Sequence, residues 1–348
     1  MKSFDLTQYK VVTAEDVDAA IKAGAKELLL RERAVVTGVA QDLIASHGLQ
    51  TTTQGGGSSS GDSVHTAENE KLFNSAEAQA IKEEICKVGH KLLMRQYVDG
   101  NGGNISYRIA ENAVICTPTL LSKGDLTPGD LCMVDLKGNQ LAGKRARTSE
   151  ILLHLEIYKE VPEAKGVVHC HPAHATAYAI TGRVPPTCVI PEYEVFIGKV
   201  AVSPYETPGT QKFAETVIPY VKNHNTVLLA NHGIICWADT VTHAEWFAEV
   251  VDTYCWTIML DSQLVAPLTH IPDEKASDLV AIKQKLGLPD PRLEMKECQL
   301  CDLPEYPGSI ALPPANYTSK AAGEEDVESL VRTITDAVLK ALGDRVKG

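Results

Sequence analysis

Apolar residues recur at helical spacing in two short segments near the amino-terminal end of the chain. After Thr13, a favourable N-cap residue, they return every three or four positions, at Val17, Ala20, Ile21, Ala25 and Leu28. A second short helix is predicted between Thr37 and Gly48, where apolar side chains again share one face. The pattern therefore predicts a helical extension over residues 1–50.

From about residue 70 the pattern becomes an alternation of helices and short β-rich runs. Helices are predicted over 77–96, 149–159 and 241–260. Strands are predicted over 113–117, 131–135, 166–171 and 226–237, with a further one around Val200. Because several strands are near neighbours, we predict an α/β fold over residues 70–303. Its expected form is a three-layer α/β/α sandwich around a mixed, mainly antiparallel sheet.

Two stretches of biased composition flank this domain. Residues 51–69 begin with a Gly/Ser/Thr tract, and residues 304–323 are rich in Pro, Ala and Gly; both compositions are typical of flexible linkers. Residues 324–348 then carry an apolar stripe at helical spacing: Val327, Leu330, Val331, Ile334, Val338, Leu339 and Leu342. They predict a tethered amphipathic helix that either folds back on the domain or docks on another protein.

Composition narrows the function. The chain has 348 residues, 44% of them hydrophobic, so it can bury a substantial core; its net charge of −12, with no basic cluster, argues against nucleic-acid binding. No apolar run approaches the ~20 residues that span a bilayer, and residues 1–5 lack the apolar core of a signal peptide. The nine cysteines are an odd, dispersed set, typical of reduced thiols in a cytoplasmic protein.

Three histidines carry the strongest chemical signal. His169 and His171 end an apolar run, and side chains two positions apart on a strand face the same way. His232 follows a second apolar run, and active-site groups commonly lie at strand ends in α/β proteins. An isolated His-x-His is more often structural, but three converging imidazoles suit Zn²⁺ and leave one position open for a substrate. The sequence therefore predicts an open zinc site.

Glu150 has two interpretations on the residues alone. It lies at the predicted start of a helix, where a carboxylate favours the helix dipole. Beside a carbonyl polarised by zinc, the same carboxylate would take a proton from the adjacent carbon.

Five separated motifs together resemble the class II aldolase/adducin family. They are Gly103–Ser106, Thr117–Thr119, Ser149–Glu150, His169–His171 and Asn231–Gly233, and they follow the family's order and approximate spacing between residues 77 and 265. The resemblance implies the family's α/β/α fold, a zinc site of three histidines, and a homotetramer with active sites between subunits.

The resemblance also implies a role for each matching residue. His169, His171 and His232 would bind zinc, and Glu150 would be the catalytic acid/base. A pocket of neutral donors would hold the substrate phosphate; it comprises Gly103, Asn104, Thr119, Thr148 and Ser149.

The chain departs from the family pattern at three positions. Leu120 stands where the family has glycine, so one side of the phosphate pocket is expected to be bulkier, and Thr148 replaces the usual serine. The family's tyrosine proton donor comes from a neighbouring subunit, and Tyr193 is the nearest match for it.

The implied reaction is the reversible cleavage of a deoxy-ketose 1-phosphate of the L-fuculose or L-rhamnulose type to dihydroxyacetone phosphate and lactaldehyde. A sugar-phosphate epimerase or dehydratase of the same fold is an alternative. The residue at position 150 is glutamate and not aspartate, which disfavours the epimerase. A non-catalytic, adducin-like interaction domain is a second alternative, which the three histidines disfavour. A scaffold that acts only through its helical tails is a third.

The tethered ends resemble the encapsulation peptides that direct enzymes into bacterial microcompartments. This resemblance implies shell proteins as partners and a cytoplasmic location inside such a compartment. Lactaldehyde is small and reactive, so a protein shell would usefully confine it.

Overall fold

The computed structural model describes residues 2–9, 11–31, 34–54, 66–264 and 268–293 of the chain. The predicted linker over 304–323 and the predicted amphipathic helix over 324–348 lie outside the described residues. Among the residues described, no helix is both long enough and apolar enough to cross a bilayer.

Residues 2–54 form a small α/β unit rather than a purely helical extension. Its elements are β1 (Ser3–Asp5), β2 (Val11–Val12), α1 (Ala14–Lys22), β3 (Glu27–Arg31), β4 (Val35–Val36), α2 (Gly38–Ser46) and β5 (Gln50–Gln54). Strands β1, β3 and β5 form one parallel sheet in that order, and β2 pairs with β4. Both predicted helices are present, but Leu28 lies on strand β3 and not on the first helix.

The predicted linker over 51–69 is wrong at both ends. Its threonine run belongs to β5, which pairs in parallel with β3 from Glu27 to Arg31. β-branched threonines suit a strand, and this strand depends on a partner distant in the sequence, which local composition does not reveal. At the other end, a helix already begins at Ala67, so only residues 55–65, which lie outside the description, remain between the two units.

The body of the chain supplies the remaining helices and strands. They are α3 (Ala67–Phe73), α4 (Ala76–Met94), β6 (Asn104–Ala110), β7 (Ala113–Cys116), β8 (Cys132–Val134), β9 (Gln140–Ala142), α5 (Ile151–Glu160), β10 (Gly166–Cys170), α6 (Ala173–Thr181), α7 (Pro191–Phe196), β11 (Ala201–Ser203), α8 (Gln211–Glu215), β12 (Thr226–Leu229), β13 (Gly233–Ala238), α9 (Val241–Asp261) and α10 (Asp273–Lys285).

The body is built on one eight-stranded sheet with the order β11-β12-β13-β10-β6-β7-β8-β9. Neighbouring strands are antiparallel except for β11 and β12, which run parallel. The short loops between β6 and β7 and between β12 and β13 make antiparallel pairing the natural outcome.

Each face of the sheet buries its own apolar core. Along β10, Val168 packs into a core with α4, α6 and α9, whereas Val167 packs into a second core with α5 and α8. On β13, Ile234 and Ile235 divide in the same way. Since side chains alternate between the faces of a strand, two cores require a layer of helices on either side. The predicted α/β/α sandwich with a mixed, mainly antiparallel sheet is confirmed.

Candidate metal centre

Two adjacent strands and one turn bring three histidines together. His169 lies on β10, between β6 and β13, and His171 follows immediately after that strand. His232 lies in the turn that joins β12 to β13. Asn231 in that turn adopts a left-handed backbone with φ of 56°, which an asparagine tolerates better than most residues.

Gly233 lets the turn approach β10 closely enough to complete the cluster. A Cβ atom at this position would lie 2.5 Å from the Cys170 carbonyl oxygen and 2.6 Å from Cδ2 of His171. Both separations are well below van der Waals contact, so a side chain here would push the His232 turn away from His171.

The three imidazoles face one another. One ligand nitrogen from each of His169, His171 and His232 lies within 4.8 Å of the others. The Nε2 atoms of His169 and His171 are 3.1 Å apart, and Nδ1 of His169 donates a hydrogen bond to the Ile234 carbonyl oxygen at 2.8 Å. With the proton on Nδ1, the Nε2 lone pair of His169 points into the cluster, as a metal ligand requires.

Burial keeps these imidazoles neutral. It holds the pKa of His169 well below its ordinary value, and the neighbouring His232 and His171 add to the effect. Burial also lowers the pKa of His171 to about 4 and lowers that of His232. Neutral imidazole is the metal-binding form, so the donor set fits a divalent ion. Nδ1 of His232 is buried and has no hydrogen-bond partner among the described residues.

The Glu150 carboxylate lies beside this cluster. Its Oε2 is 3.4 Å from Nε2 of His169, and its Oε1 is 3.6 Å from Nε2 of His232. Glu150 occupies the N-cap position of α5, but its side chain makes no capping hydrogen bond. The carboxylate is thus directed to the histidines and not to the backbone N–H groups of α5. This agrees with the catalytic interpretation, and its position at the helix start leaves the interaction with the helix dipole in place.

Gly103 and Asn104 approach the same point from β6. Gly103 has a φ of +69°, and a Cβ atom there would lie 2.5 Å from Cγ1 of Val98 and 2.9 Å from the His169 carbonyl oxygen. Asn104 is the register partner of His169 and donates from Nδ2 to Oε2 of Glu150 at 2.8 Å. The structure therefore joins these two residues to the histidine cluster.

Thr119, Thr148 and Ser149 lie on two chain segments that run side by side. The Thr119 amide donates to the Ala146 carbonyl at 3.0 Å, and the Thr148 amide donates to the Thr117 carbonyl at 3.1 Å. Ser149 directly precedes Glu150 in the second segment. Pairing of these segments places Thr119 beside the stretch of chain that leads through Thr148 and Ser149 to Glu150.

Leu120 has a backbone conformation that glycine usually adopts. Its φ is +56°, in the left-handed region that side chains disfavour, and its side chain is 58% exposed. An exposed leucine therefore follows Thr119 directly, and a bulkier side of the phosphate pocket stays a prediction.

Tyr193 is not a site residue in this structure. It is 1% exposed, stacks on Tyr254 with ring centroids 3.7 Å apart, and lies in the core that α4, α6 and α9 share. Burial raises the pKa of its hydroxyl well above the ordinary value. A hydroxyl enclosed in its own chain has no route to a substrate, so the predicted role as proton donor is wrong for Tyr193.

Sequence analysis missed a buried polar chain behind Asn104. His154, Ser106 and Tyr158 connect Asn104 to the sheet interior, and all three side chains are buried. Two periodicities signal it: His154 lies four residues after Glu150 on one helix, and Ser106 lies two residues after Asn104 on one strand face.

It also missed Asp42 and Lys123. Asp42, on α2 of the amino-terminal unit, accepts a hydrogen bond from Oγ1 of Thr119 at 3.1 Å, and burial raises its pKa. Nζ of Lys123 donates to the carbonyls of Asn101 and Leu121, at 2.9 and 2.6 Å, and burial lowers its pKa to about 8. Lys123 thus connects the loop before Gly103 to the loop after Thr119.

Comparison with known proteins identifies relatives of this chain. The family model of class II aldolase and adducin N-terminal domains matches residues 83–259. A 3-oxo-tetronate 4-phosphate decarboxylase of Haemophilus influenzae is 34% identical over 205 residues, which cover 58% of this chain and 96% of that protein. An L-fuculose phosphate aldolase of Methanococcus vannielii is 36% identical over 170 residues, 49% of this chain and 91% of that protein.

Solved structures show the same likeness. An L-fuculose 1-phosphate aldolase superposes with a TM-score of 0.54 at 26% identity, covering 62% of this chain and 99% of that one. A putative aldolase/epimerase/decarboxylase from Klebsiella pneumoniae gives a TM-score of 0.53 at 26% identity, covering 58% and 98%.

Proposed function

The chain belongs to the class II aldolase and adducin family, and on this premise we propose that it is a zinc-dependent lyase for a deoxy-ketose 1-phosphate. The match to this family and the similarity to L-fuculose phosphate aldolases confirm the expected enzyme class, a metal-dependent aldolase. The proposed substrate is of the L-fuculose or L-rhamnulose 1-phosphate type, with dihydroxyacetone phosphate and lactaldehyde as products. One observation carries the proposal: the Glu150 carboxylate lies within 3.4 and 3.6 Å of two of the three converging imidazoles.

In this proposal His169, His171 and His232 hold the metal. A bound divalent ion would draw electron density from the substrate's carbonyl and hydroxyl oxygens and so stabilise negative charge that develops on them. The donor set of three neutral imidazoles favours Zn²⁺ over Mg²⁺ or Ca²⁺, which prefer oxygen ligands.

Glu150 moves the proton. In the cleavage direction the C4 hydroxyl gives its proton to water as the C3–C4 bond breaks and the aldehyde leaves. The protonated Glu150 carboxyl then delivers its proton to the enediolate carbon to give dihydroxyacetone phosphate, and it regains a proton from the solvent. In the synthetic direction the ionised carboxylate removes that proton. Its place beside the histidines supports this role, because a substrate carbonyl held at the three imidazoles would bring the adjacent carbon within reach of the carboxylate.

The phosphate group is proposed to bind at Gly103, Asn104, Thr119, Thr148 and Ser149. Hydroxyl, carboxamide and backbone N–H donors hold a phosphate without a lysine cluster. The placement of Gly103 and Asn104 at the histidine cluster, with the other three residues on adjacent paired segments, supports this set.

Decarboxylation of a 3-oxo-tetronate 4-phosphate is a second candidate, since a relative of that name aligns over 96% of its own length. Loss of CO₂ from such a β-keto acid leaves the same enediolate of dihydroxyacetone phosphate. The two reactions therefore place the same demands on the histidines and on proton delivery by Glu150. They differ in the group that leaves and in the loss of a hydroxyl proton, which aldol cleavage alone requires.

We also propose a homotetramer located in the cytoplasm, inside a bacterial microcompartment, with shell proteins as partners. The family matches cover the body and leave the amino-terminal residues unmatched, which supports a separate task for the end segments. Variants lacking residues 1–50 or 324–348 would be tested for co-sedimentation with shell proteins. Unchanged loading of both variants would contradict the proposal, and retained activity of each would show that its catalytic domain is intact.

The function is tested on the purified full-length protein. Metal content is measured by mass spectrometry before and after chelation, and release of dihydroxyacetone phosphate is followed with a panel of ketose 1-phosphates and with 3-oxo-tetronate 4-phosphate. We expect about one zinc per chain, turnover of a deoxy-ketose 1-phosphate, loss of activity on chelation and recovery with Zn²⁺. Turnover that survives complete metal removal would contradict the proposal, and CO₂ release from the tetronate alone would favour the second candidate.

A further inference from the structure

A continuous chain of hydrogen bonds runs from Glu150 into the interior of the body. Oε2 of Glu150 accepts from Nδ2 of Asn104 at 2.8 Å. Oδ1 of Asn104 lies 2.5 Å from Nε2 of His154, and Nδ1 of His154 lies 2.7 Å from Oγ of Ser106. The Ser106 hydroxyl is 2.8 Å from the hydroxyl of Tyr158, which also donates to the Lys165 carbonyl at 3.0 Å.

With Nδ2 of Asn104 directed to Glu150, only one arrangement of protons satisfies this chain. Oδ1 of Asn104 can only accept, so Nε2 of His154 must carry the hydrogen. His154 is fully buried, and burial lowers its pKa to about 3, so the imidazole is neutral and Nδ1 is an acceptor. The Ser106 hydroxyl must therefore donate to Nδ1 of His154, and Tyr158 shares its hydrogen between Ser106 and the Lys165 carbonyl.

The arrangement controls which end of the Asn104 carboxamide faces the site. With Oδ1 held by His154, the NH₂ group is directed to Glu150 and has a second hydrogen available for a substrate anion. A carboxamide rotated by half a turn would place its oxygen against the Glu150 carboxylate. The ionised carboxylate opposes that rotation, but when Glu150 carries a proton it could donate to the Asn104 oxygen, and in that state the contact with His154 is what disfavours the rotated form.

We propose that His154 and Ser106 are positioning residues that fix the donor orientation of Asn104 toward Glu150 and the substrate phosphate. This inference rests on the proposed function, which assigns those two tasks to the site. A purely structural role would be filled more cheaply by apolar side chains, because burying histidine, serine and tyrosine polar atoms costs free energy unless each finds a partner.

The test compares His154→Gln with His154→Leu in the full-length protein. Glutamine retains an amide N–H donor near the position of Nε2, whereas leucine fills the space without a donor. We expect His154→Leu to lower kcat/KM and to weaken competitive inhibition by inorganic phosphate about 10- to 100-fold, the usual loss for a hydrogen bond to a charged group. His154→Gln should recover most of both quantities. Tyr254→Phe, which removes a buried hydroxyl that donates to Pro186 instead, is the matched control and should change neither.

A second measurement does not depend on turnover or on a tolerated substitution. Nitrogen-15 NMR of histidine-labelled protein, with His154→Gln for assignment, should show protonated Nε2 and unprotonated Nδ1 for His154 at neutral pH. A signal of the opposite tautomer would overturn the proposal. Equal damage by leucine and glutamine in folded, metal-loaded proteins would do the same, since packing alone would then explain the residue. If no ketose phosphate is turned over, the proposed function is wrong. The affinity of the His154 variants for inorganic phosphate and the nitrogen-15 signal of His154 would still test the positioning role.

Discussion

The substitution Glu150→Gln separates proton transfer from every other task of the site. Glutamine has the shape of glutamate, and its Oε1 can accept the hydrogen bond from Nδ2 of Asn104 in the same way. The three histidines keep their side chains, and His169 keeps its bond to the Ile234 carbonyl. What the variant loses is a group that accepts and returns a proton.

The magnitudes of these effects differ widely. Exchange of one charge-assisted hydrogen bond for a neutral one at Asn104 should change the free energy of unfolding by about 1–2 kcal/mol at most. Loss of a positioned general acid/base should lower the rate of proton transfer by about 10²- to 10⁴-fold, which corresponds to about 3–5 kcal/mol in the barrier. The catalytic loss is therefore expected to exceed the structural one clearly.

The assay follows the half-reaction that needs only Glu150 and the metal. Dihydroxyacetone phosphate is incubated with the protein in D₂O, and deuterium incorporation is followed by proton NMR without any aldehyde. Glu156→Gln is the control. Glu156 lies on the helix that Glu150 precedes, its side chain is 9% exposed against 13% for Glu150, and it accepts hydrogen bonds from Lys159 and Gln211. Exchange at the unsubstituted rate in a metal-loaded Glu150→Gln protein would remove Glu150 from the mechanism.

Three further outcomes follow from particular contacts. His171→Ala should lower metal affinity by more than about 100-fold, because loss of a ligand exceeds the 10- to 100-fold typical of a residue behind one, and titration with Zn²⁺ measures it; unchanged affinity would contradict the site. Asp42→Asn should lower the KM for a phosphate substrate about 2- to 10-fold, since it removes a negative charge hydrogen-bonded to Thr119; a raised KM in steady-state assays would show that the carboxylate helps binding. Burial raises the pKa of Glu245 to about 7 despite its ion pair with Lys91, so the folded protein holds a proton there that the unfolded chain releases above its ordinary value of 4.5. The stability that Glu245 contributes is fully present below pH 4.5 and is lost as the pH rises through about 7. The urea midpoint should therefore fall with rising pH more steeply in the unsubstituted protein than in Glu245→Gln. Equal slopes in the two proteins would refute the raised pKa of Glu245.

Much of the body's fold could be predicted because its signals are local. The continuous apolar run at Val167 and Val168 indicates a strand covered on both faces, and the two side chains do lie in different cores. The same period of two predicts that His169, on β10, and His171, just after it, face the same way, and the turn between β12 and β13 brings His232 to them. Histidines that follow apolar, strand-like runs can be recognised in the sequence itself.

The parts that escaped prediction depend on partners distant in the sequence. Leu28 continues a helical spacing, yet it lies on a strand because β1 and β5 flank β3 on both sides. The threonines of β5 look like a linker for the same reason. Tyr193 matched a family feature by proximity in sequence only, and three-dimensional packing against Tyr254 removed it from the surface.

The pairing of β10 with β6 explains why metal ligand, base and positioning residue form one unit. Register places His169 opposite Asn104, and Val167 opposite Ser106, so the ligand and both polar residues of β6 share the face that α5 covers. Helix α5 then presents Glu150 and His154 one turn apart to that face. A slip of one residue between these strands would turn Asn104 and Ser106 to the opposite core and leave Glu150 without its donor. The same pairing of β10 with β6 therefore sets both the packing of the core and the positions of the site residues. A change in register that displaced Asn104 would also disrupt the apolar core on that face.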